Sequence, residues 1–399
     1  MTVSSGGPAV ASAESVDRIV SELRVLATRA LARMYRPEER LFAFRLRREG
    51  DAHVLEGVSR RYTAIALIGL ARQSEEIARG VLARHSAQEV CDRLVRGVDL
   101  YEDLGEVALT LWAARALRHS GTARVLGRLR AMDPANGRYP TVKLAWSLMS
   151  LVADGSDAED ETLAASLAER LLRSFHPASG LFPHWPADVR GSFLRSHVTC
   201  FADFVYPIQA LSHYHMATGS PEALGAAQEC ARRMCELQGP AGQWWWHFDV
   251  RTGDVLERYP VYSVHQDSMA PMALFALEEA DGQDRLAPIR RGWQWLLEPP
   301  ENPGGLIDRA AGVIWRKVAR HEPPRLVRGL QAAASRLHAS LRAPGVDTVF
   351  RPGWIDHESR PYHMGWILYA WPASRIVDSP EAQGTLPDDA PESARLTAM

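Results

Sequence analysis

This sequence of 399 residues has a net charge of only -2, four cysteines and few long apolar runs. Lys and Arg total 46 against 48 Asp and Glu, so no excess of positive charge is available to neutralise the phosphates of a nucleic acid. No apolar run reaches the roughly 18 residues that a membrane-spanning helix requires, and the N-terminus lacks the basic and apolar regions of a secretory signal. We therefore expect a soluble protein that binds neither nucleic acid nor membrane.

Cysteines and metal-binding motifs give the same picture of a simple cytoplasmic protein. Four cysteines lie in apolar helical patterns without CxxC spacing: Cys91, Cys200, Cys230 and Cys235. Such cysteines are typical of free thiols in a reducing compartment. Five histidines could converge in the fold, but none shows HExxH or another defined ligand spacing: His184, His247, His265, His357 and His363. Nucleotide-binding motifs are missing too, so we predict no metal and no cofactor.

Helical periodicity dominates the chain. Apolar residues at i, i+3, i+4 and i+7 predict helices at 16–34, 75–94, 103–117, 141–153, 161–175, 200–216, 221–237, 267–279 and 286–297. Two kinds alternate. Helices rich in Arg and Glu, such as AAQECARRMCELQ, suit an outer ring, whereas nearly apolar ones, such as TVKLAWSLMSLVA and DSMAPMALFALEEA, suit an inner ring.

Short β-hairpins are predicted where the chain leads into inner helices. The first occupies 42–57 with a turn at Glu49-Gly50-Asp51, and a second occupies 244–261 with a turn at Thr252-Gly253-Asp254. Shorter ones are predicted at 306–318 and 354–363. About six such units predict an all-α fold, an α/α toroid of about six helical hairpins with short β-hairpins at one face. We assign it to 16–376, with disordered tails at 1–15 and 377–399.

In such a ring the segments that lead into the inner helices meet at one end. Polar and aromatic residues in those segments therefore predict a ligand cleft. The catalytic candidates are Asp203, Asp267, His265 and Tyr262. The substrate-binding candidates are Trp245, Trp246, His247, Tyr206, Arg61, Tyr62, Asp103, Trp185, Gln266, His357 and His363.

The two aspartates each have a structural alternative. Asp267 occupies a position typical of a helix N-cap, although His265 beside it favours an acid/base role. Asp203 lies among Phe201, Phe204 and Tyr206, where a carboxylate is costly unless it is paired or catalytic. Arg195 or a backbone donor could satisfy it. For each aspartate both a structural and a catalytic interpretation therefore remain open.

The tryptophans Trp244, Trp245 and Trp246 would alternate faces if extended. Core packing explains one or two of them, and alternation favours Trp245 as the residue that faces the cleft, with its neighbours as alternatives. Indole faces stack on the apolar faces of sugar rings or cover an isoprenoid.

At these positions the chain resembles the six-hairpin glycosidase-like superfamily. This group of α/α toroids includes glycoside hydrolases, unsaturated-uronide hydrolases, polysaccharide lyases and N-acylglucosamine 2-epimerase-like enzymes. The resemblance covers roughly 16–373 and is carried by the helix alternation with GLFPHW, QWWWHFD and YSVHQDSMAPMAL. It implies a central aromatic cleft and acid/base chemistry by Asp, Glu, His or Tyr.

Three functions remain open. The resemblance favours an enzyme that hydrolyses, eliminates at or epimerises a sugar or oligosaccharide; two carboxylates suit hydrolysis, and a His/Tyr pair suits proton abstraction. The stretch ELQGPAGQWWW is also similar to the Q…GxW pattern of terpene cyclases and prenyltransferase β-subunits, but no inner helix carries a DxDD motif. A noncatalytic saccharide-binding protein is the third. The sequence does not decide the oligomeric state.

Overall fold

The computed structural model describes residues 13–153, 158–191, 195–320 and 350–375. These residues form thirteen α-helices: α1 (Ala13–Met34), α2 (Arg60–Leu70), α3 (Glu75–Val81), α4 (Ala87–Arg96), α5 (Leu104–Ala116), α6 (Thr122–Ala131), α7 (Thr141–Val152), α8 (Ala158–Ser174), α9 (Ala202–Thr218), α10 (Pro221–Glu236), α11 (Ala270–Asp281), α12 (Leu286–Leu297) and α13 (Pro361–Ala370). The predicted tails lie outside the described residues, apart from 13–15, which begin α1. No described helix combines the length and the apolar character that crossing a membrane requires.

Six helices form a closed inner ring. Helices α2, α5, α7, α9 and α11 each pack against the next, α11 packs against α13, and α13 returns to α2. The ring helices are buried on nearly every side, because their sequences are almost wholly apolar. Helices α1, α4, α6, α8 and α10 lie outside them and bury only a stripe. The predicted α/α toroid is confirmed.

Two glycines close the ring between α2 and α13. A Cβ atom on Gly69 would lie 2.3 Å from the carbonyl oxygen of Gly365, and one on Gly365 would lie 2.7 Å from the carbonyl oxygen of Ile65. Real Cβ atoms do not approach backbone this closely, so only glycine lets the two helices approach to this distance.

Short strands occupy one end of the ring. In the described residues they are β1 (Tyr35–Arg36), β2 (Leu41–Phe42), β3 (Arg45–Glu49), β4 (Ala52–Glu56), β5 (Val198–Cys200), β6 (His247–Asp249), β7 (Val255–Glu257), β8 (Val261–Tyr262), β9 (Ile307–Asp308), β10 (Val313–Ile314), β11 (Lys317–Arg320), β12 (Pro352–Asp356) and β13 (Glu358–Ser359). All their pairings are antiparallel: β1–β2, β9–β10, β13–β3–β4, β5–β6–β7 and β12–β11–β8.

The strands confirm three of the four predicted hairpins. Strands β3 and β4 form the first, β6 and β7 the second and β9 and β10 the third, with Gly50 and Gly253 at positive φ in two of the turns. The hairpin predicted at 354–363 is wrong. Strand β12 pairs with β11 and strand β13 pairs with β3, so this segment joins two different sheets.

One predicted helix is two helices. The segment 75–94 contains α3 and α4, because Ala83 and Arg84 adopt positive φ between them. Helix α4 then begins with a capping box, in which Ser86 and Glu89 satisfy each other's backbone N–H groups. Helix α6 was not predicted from the periodicity.

Candidate functional site

The candidate site lies where the inner helices begin, at the end of the ring that carries the strands. Strand β5 leads into α9, β8 leads towards α11 and β13 leads into α13. Because the ring is closed, the first turns of these helices face one another around a common axis. Most of the polar candidates lie in these turns.

Asp203 lies in the first turn of α9 with 0% of its surface exposed. Its carboxylate accepts hydrogen bonds from the backbone N–H of Cys200 at 2.9 Å and from Nδ1 of His184 at 3.1 Å. The bond from His184 to Asp203 raises the pKa of that imidazole. The His184 side chain is 44% exposed. A backbone donor and a histidine therefore satisfy Asp203; Arg195 is not among its partners in the described residues.

Asp267 lies in a π-helical turn, His265–Met269, and is also 0% exposed. Nε2 of His363, in the first turn of α13, lies 2.8 Å from both of its carboxylate oxygens. Pro271, four residues later, has no backbone N–H to donate to the Asp267 carbonyl. The indole of Trp371 donates to that oxygen instead, at 2.6 Å. The N-cap reading of Asp267 is therefore wrong, since its side chain holds a histidine.

His265 connects the α9 and α11 sides of the site. Its ring centroid lies 4.4 Å from that of Phe201, beside α9, and 5.1 Å from that of Tyr262. Burial lowers the pKa of His265 to about 3, so the imidazole is neutral at pH 7. Its Nδ1 has no hydrogen-bond partner among the described residues. His265 is thus an uncharged, weakly basic group between the two aspartates.

Of the three consecutive tryptophans, Trp246 keeps exposed surface, whereas Trp244 and Trp245 are buried. The Trp246 ring stacks on His247 at 3.9 Å and meets the ring of Tyr262 edge-on at 5.5 Å. Trp245 packs against Tyr259 in the interior. Trp245, which alternation favoured, is 6% exposed, and Trp246, also a substrate-binding candidate, is the indole with exposed surface beside Tyr262.

A third histidine–carboxylate pair lies under Trp246. Nδ1 of His247 on β6 is 2.5 Å from the Glu257 carboxylate on β7. Both residues are buried. Because the Trp246 ring stacks on His247, this pair lies directly against the indole.

Asp103 joins three inner helices on the opposite side of the ring. It caps α5 by accepting the backbone N–H of Glu106, and its carboxylate also contacts Nζ of Lys143 at 2.7 Å and Arg61 at 2.9 Å. Burial alone would raise the pKa of Asp103, but the hydrogen bond from Lys143 and the charge of Arg61 hold it below its usual value. Arg61 lies 5.9 Å above the ring of Trp146.

Tyrosines line the remaining arc. Tyr206 is buried against Trp146 at 5.1 Å and accepts a hydrogen bond from Nε1 of Trp366. Tyr62 packs on Tyr362, with ring centroids 4.8 Å apart, and accepts a hydrogen bond from Arg360 at 2.7 Å. These contacts hold the tyrosine rings in fixed positions around the ring axis.

Two predicted residues lie away from the cleft. The His357 ring packs against Trp315, with ring centroids 5.1 Å apart, and its backbone oxygen accepts the N–H of Arg48 on β3. Gln266 is fully buried, and its amide bonds the backbone at Trp244 and Tyr262. Gln266 therefore has no exposed surface to offer a ligand, whereas His357 is partly exposed.

Some residues of the site were missed. His184 precedes α9 by 18 positions and was considered only as a metal ligand, although the motif GLFPHW marks it. Its ring lies edge-on to the partly exposed Trp185 at 5.5 Å. Arg316, which precedes β11 in sequence, lies 5.3 Å above the ring of Tyr262 and pairs with the buried Glu358. No local pattern indicates Arg316, because the sheet β12–β11–β8 brings it to the site.

A groove of about 640 Å³ leads outward from Arg61 and Tyr62. It runs between the first hairpin and the start of α5 and is also lined by Phe44, Tyr101 and Glu106. The guanidinium of Arg60 covers its floor, 4.4 Å above the Tyr101 ring.

Comparisons with known proteins agree on the fold. No protein-family model matches the sequence, and no curated protein sequence matches it. Among solved structures, a sugar epimerase from a ruminal bacterium matches 90% of this chain and 100% of its own, at 11% identity and a TM-score of 0.59. Cellobiose 2-epimerase from Bacillus thermoamylovorans matches 89% of this chain and 98% of its own, at 11% identity and a TM-score of 0.58.

A wild-type glycosidase matches 92% of this chain and 99% of its own, at 11% identity and a TM-score of 0.53. These matches extend over the whole ring rather than over a few helices. At this identity they establish architecture and no activity. The chain therefore has the six-hairpin glycosidase-like fold.

Proposed function

We propose that the protein is a carbohydrate-active enzyme that transfers protons on a sugar, as an epimerase does. The observation that carries this proposal is the burial of Asp203 and Asp267, each with 0% exposure and each bonded to a histidine. Hydrolysis by two carboxylates requires one to protonate the leaving oxygen and the other to activate water or attack carbon. Asp203 and Asp267 have no exposed surface, whereas His363 keeps 3% and the His184 side chain 44%, so we assign the contact with the sugar to the imidazoles and the orienting role to the carboxylates.

Epimerisation requires proton removal beside a carbonyl and proton return to the opposite face. Histidines held by carboxylates suit this work, because the carboxylate fixes the ring tautomer and stabilises the imidazolium. We assign His363 and Tyr262 to one face of the sugar and His184 to the other. Asp267 and Asp203 are their positioning residues, and neutral His265 completes the wall between them.

Aromatic and cationic residues would hold the sugar. Trp246 and Trp185 both keep exposed surface beside a histidine of the site, and indole faces stack on the apolar faces of sugar rings. Arg61 and Arg316 supply hydrogen-bond donors for hydroxyl or carboxylate groups. We propose a saccharide with a free reducing end, whose remaining units occupy the groove.

The four cysteines are all free, which supports the expectation of a reducing, cytoplasmic environment. The isoprenoid alternative gains no support, because the sequence has no DxDD motif in an inner helix and the two buried aspartates of the site are bonded to histidines. A noncatalytic sugar-binding protein remains a defined outcome of the test below.

The test is solvent isotope exchange. The purified full-length protein is incubated in D₂O with aldoses, cellobiose, N-acylhexosamines, uronates and neutral oligosaccharides, and the products are followed by NMR. We expect epimer formation with deuterium at the carbon beside the carbonyl for one class, and its loss in Asp267→Asn. Release of new reducing ends without exchange would indicate a hydrolase, and binding without turnover would indicate a noncatalytic protein. Either result contradicts the proposal.

A further inference from the structure

The surroundings of Asp203 contain one group that proton transfer does not use. The Cys200 thiol lies 3.1 Å from the same carboxylate oxygen that His184 contacts. Nδ1 of His184, Sγ of Cys200 and a carboxylate oxygen of Asp203 all lie within 4.8 Å of one another. Among the described residues they are the one such group of at least three His, Cys, Asp or Glu side chains.

We propose that His184, Cys200 and Asp203 bind a zinc ion whose fourth position opens to the cleft. Imidazole nitrogen, thiolate and carboxylate are the ligands that zinc takes in proteins, at roughly 2.0 to 2.3 Å. Three protein ligands with one open position are typical of a catalytic rather than a structural zinc site. The thiolate excludes calcium and magnesium, which prefer oxygen ligands.

The geometry needs only a small adjustment to hold the ion. Asp203 is already 3.1 Å from each of the other two ligand atoms, a separation that one ion spans at those bond lengths. The remaining pair, His184 and Cys200, must close on the same centre. The His184 ring can make this movement, because its side chain is 44% exposed and Trp185 meets it edge-on.

Electrostatics favours the ion. The Asp203 carboxylate is fully buried and is contacted by His184, the backbone N–H of Cys200 and the Thr199 hydroxyl, so a bound cation would add a full charge opposite a carboxylate that is already held in place. A zinc ion with one carboxylate, one thiolate and one neutral imidazole makes a set with no net charge. The thiol proton of Cys200 leaves to solvent when the ion binds.

The framework already orients these ligands. Asp203 accepts the backbone N–H of Cys200 at 2.9 Å, and the Thr199 hydroxyl lies 3.2 Å from the same carboxylate oxygen. Strand β5 ends at Cys200 and is held against β6. Partners of this kind fix the rotamer of a metal ligand and preserve its affinity.

The catalytic role of this zinc site rests on the proposed function, but zinc binding itself does not. With zinc bound, His184 would be a ligand, and a water molecule in the open fourth position would take over the proton transfer that the proposed function gives to His184 on that face of the sugar. His363 and Tyr262 would still transfer the proton on the other face. The proposal departs from the sequence-based expectation of no metal, because no local spacing connects His184 with Cys200.

The experiment measures metal without substrate. Full-length protein without a histidine tag is stripped with a chelator, titrated with Zn²⁺ by calorimetry and separately loaded with Co²⁺. We expect one equivalent of zinc and a thiolate-to-cobalt charge-transfer band. Cys200→Ser and His184→Gln should each weaken zinc binding at least about 10-fold and remove or shift the band, whereas Cys230→Ala on α10 should leave both unchanged.

Two results would overturn the site: less than stoichiometric zinc in the wild-type protein, or zinc binding that persists unchanged in both ligand variants. Circular dichroism establishes that the variants are folded, and the cobalt spectrum of the wild-type chain needs no variant. Stoichiometric zinc with no saccharide turnover would count against the proposed function alone. Isotope exchange that continues in a chain unable to bind zinc would overturn the catalytic role of the zinc and leave the proposed function standing.

Discussion

Replacing Asp267 with Asn separates the orienting role of this carboxylate from its contribution to stability. Its hydrogen bonds with His363, at 2.8 Å to both oxygens, lie in the buried interior. A hydrogen bond to a charged group contributes about 1.5 to 3 kcal/mol, so the free energy of unfolding should fall by about 2 kcal/mol. The fold should survive, because Asn has nearly the same volume.

The effect on catalysis should be larger. An amide can present N–H instead of oxygen to the imidazole and no longer enforces one tautomer, a change that lowers kcat about 10⁴-fold where a histidine is oriented by aspartate. KM should change little, because Asp267 has no exposed surface to touch substrate. Urea denaturation followed by tryptophan fluorescence gives the stability, and isotope exchange in D₂O gives kcat and KM.

Asp281 provides the matched control. It lies at the other end of α11, its side chain is 4% exposed, and it pairs with Arg285 at 2.7 Å. Asp281→Asn should lose similar stability and keep wild-type kcat. A folded Asp267→Asn protein with undiminished kcat would refute the assignment, and so would a rise in KM at constant kcat.

Three further predictions concern closure, pH and ligand stacking. Gly365→Ala should lower the free energy of unfolding by about 1 to 3 kcal/mol. The control Gly127→Ala, where no atom lies within 4 Å of the added Cβ, should instead raise it by up to about 1 kcal/mol. Equal effects of the two changes in urea denaturation would contradict the ring-closure argument. Burial lowers the pKa of His213 to about 4, so the unfolded chain binds a proton that the folded chain resists, and lowering the pH from 7 to 5 should remove about 2 kcal/mol of stability. Unfolding curves of His213→Asn at both pH values should show a correspondingly smaller loss, and an unchanged loss would exclude this group. Trp246→Ala should weaken saccharide binding about 10-fold by calorimetry, and Trp354→Ala, 40% exposed on β12, should not; equal losses would remove Trp246 from the site.

The ring itself could be predicted from sequence because its signal is local. Inner helices are apolar on every side, whereas outer helices are apolar on one side. This difference is visible in the sequence of a few helical turns. Strand pairing is not local. The segment 354–363 has the composition of a hairpin, yet β12 and β13 pair with β11 and β3, which lie far away in the chain.

The site was predicted as a region more securely than as contacts. Asp203 and Asp267 both precede a proline by four positions, a pattern that leaves each carbonyl without its helical donor and distinguishes both from ordinary caps. Their histidine partners come from other elements, so no spacing reveals them. Alternation along an extended strand does not say which of the three tryptophans face the interior. The packing of Trp245 on Tyr259 shows that Trp245 is one that does.

Closure of the ring sets the order in which the protein can be completed during synthesis. Helix α2 leaves the ribosome early, but its partner α13 is made only after most of the chain. Strand β3 is likewise made long before its partner β13. Until then the nascent chain exposes one apolar flank of α2 and another of α11, and such surfaces promote aggregation. Any truncation that removes α13 would leave both flanks bare, so we expect it to yield insoluble protein rather than a smaller ring.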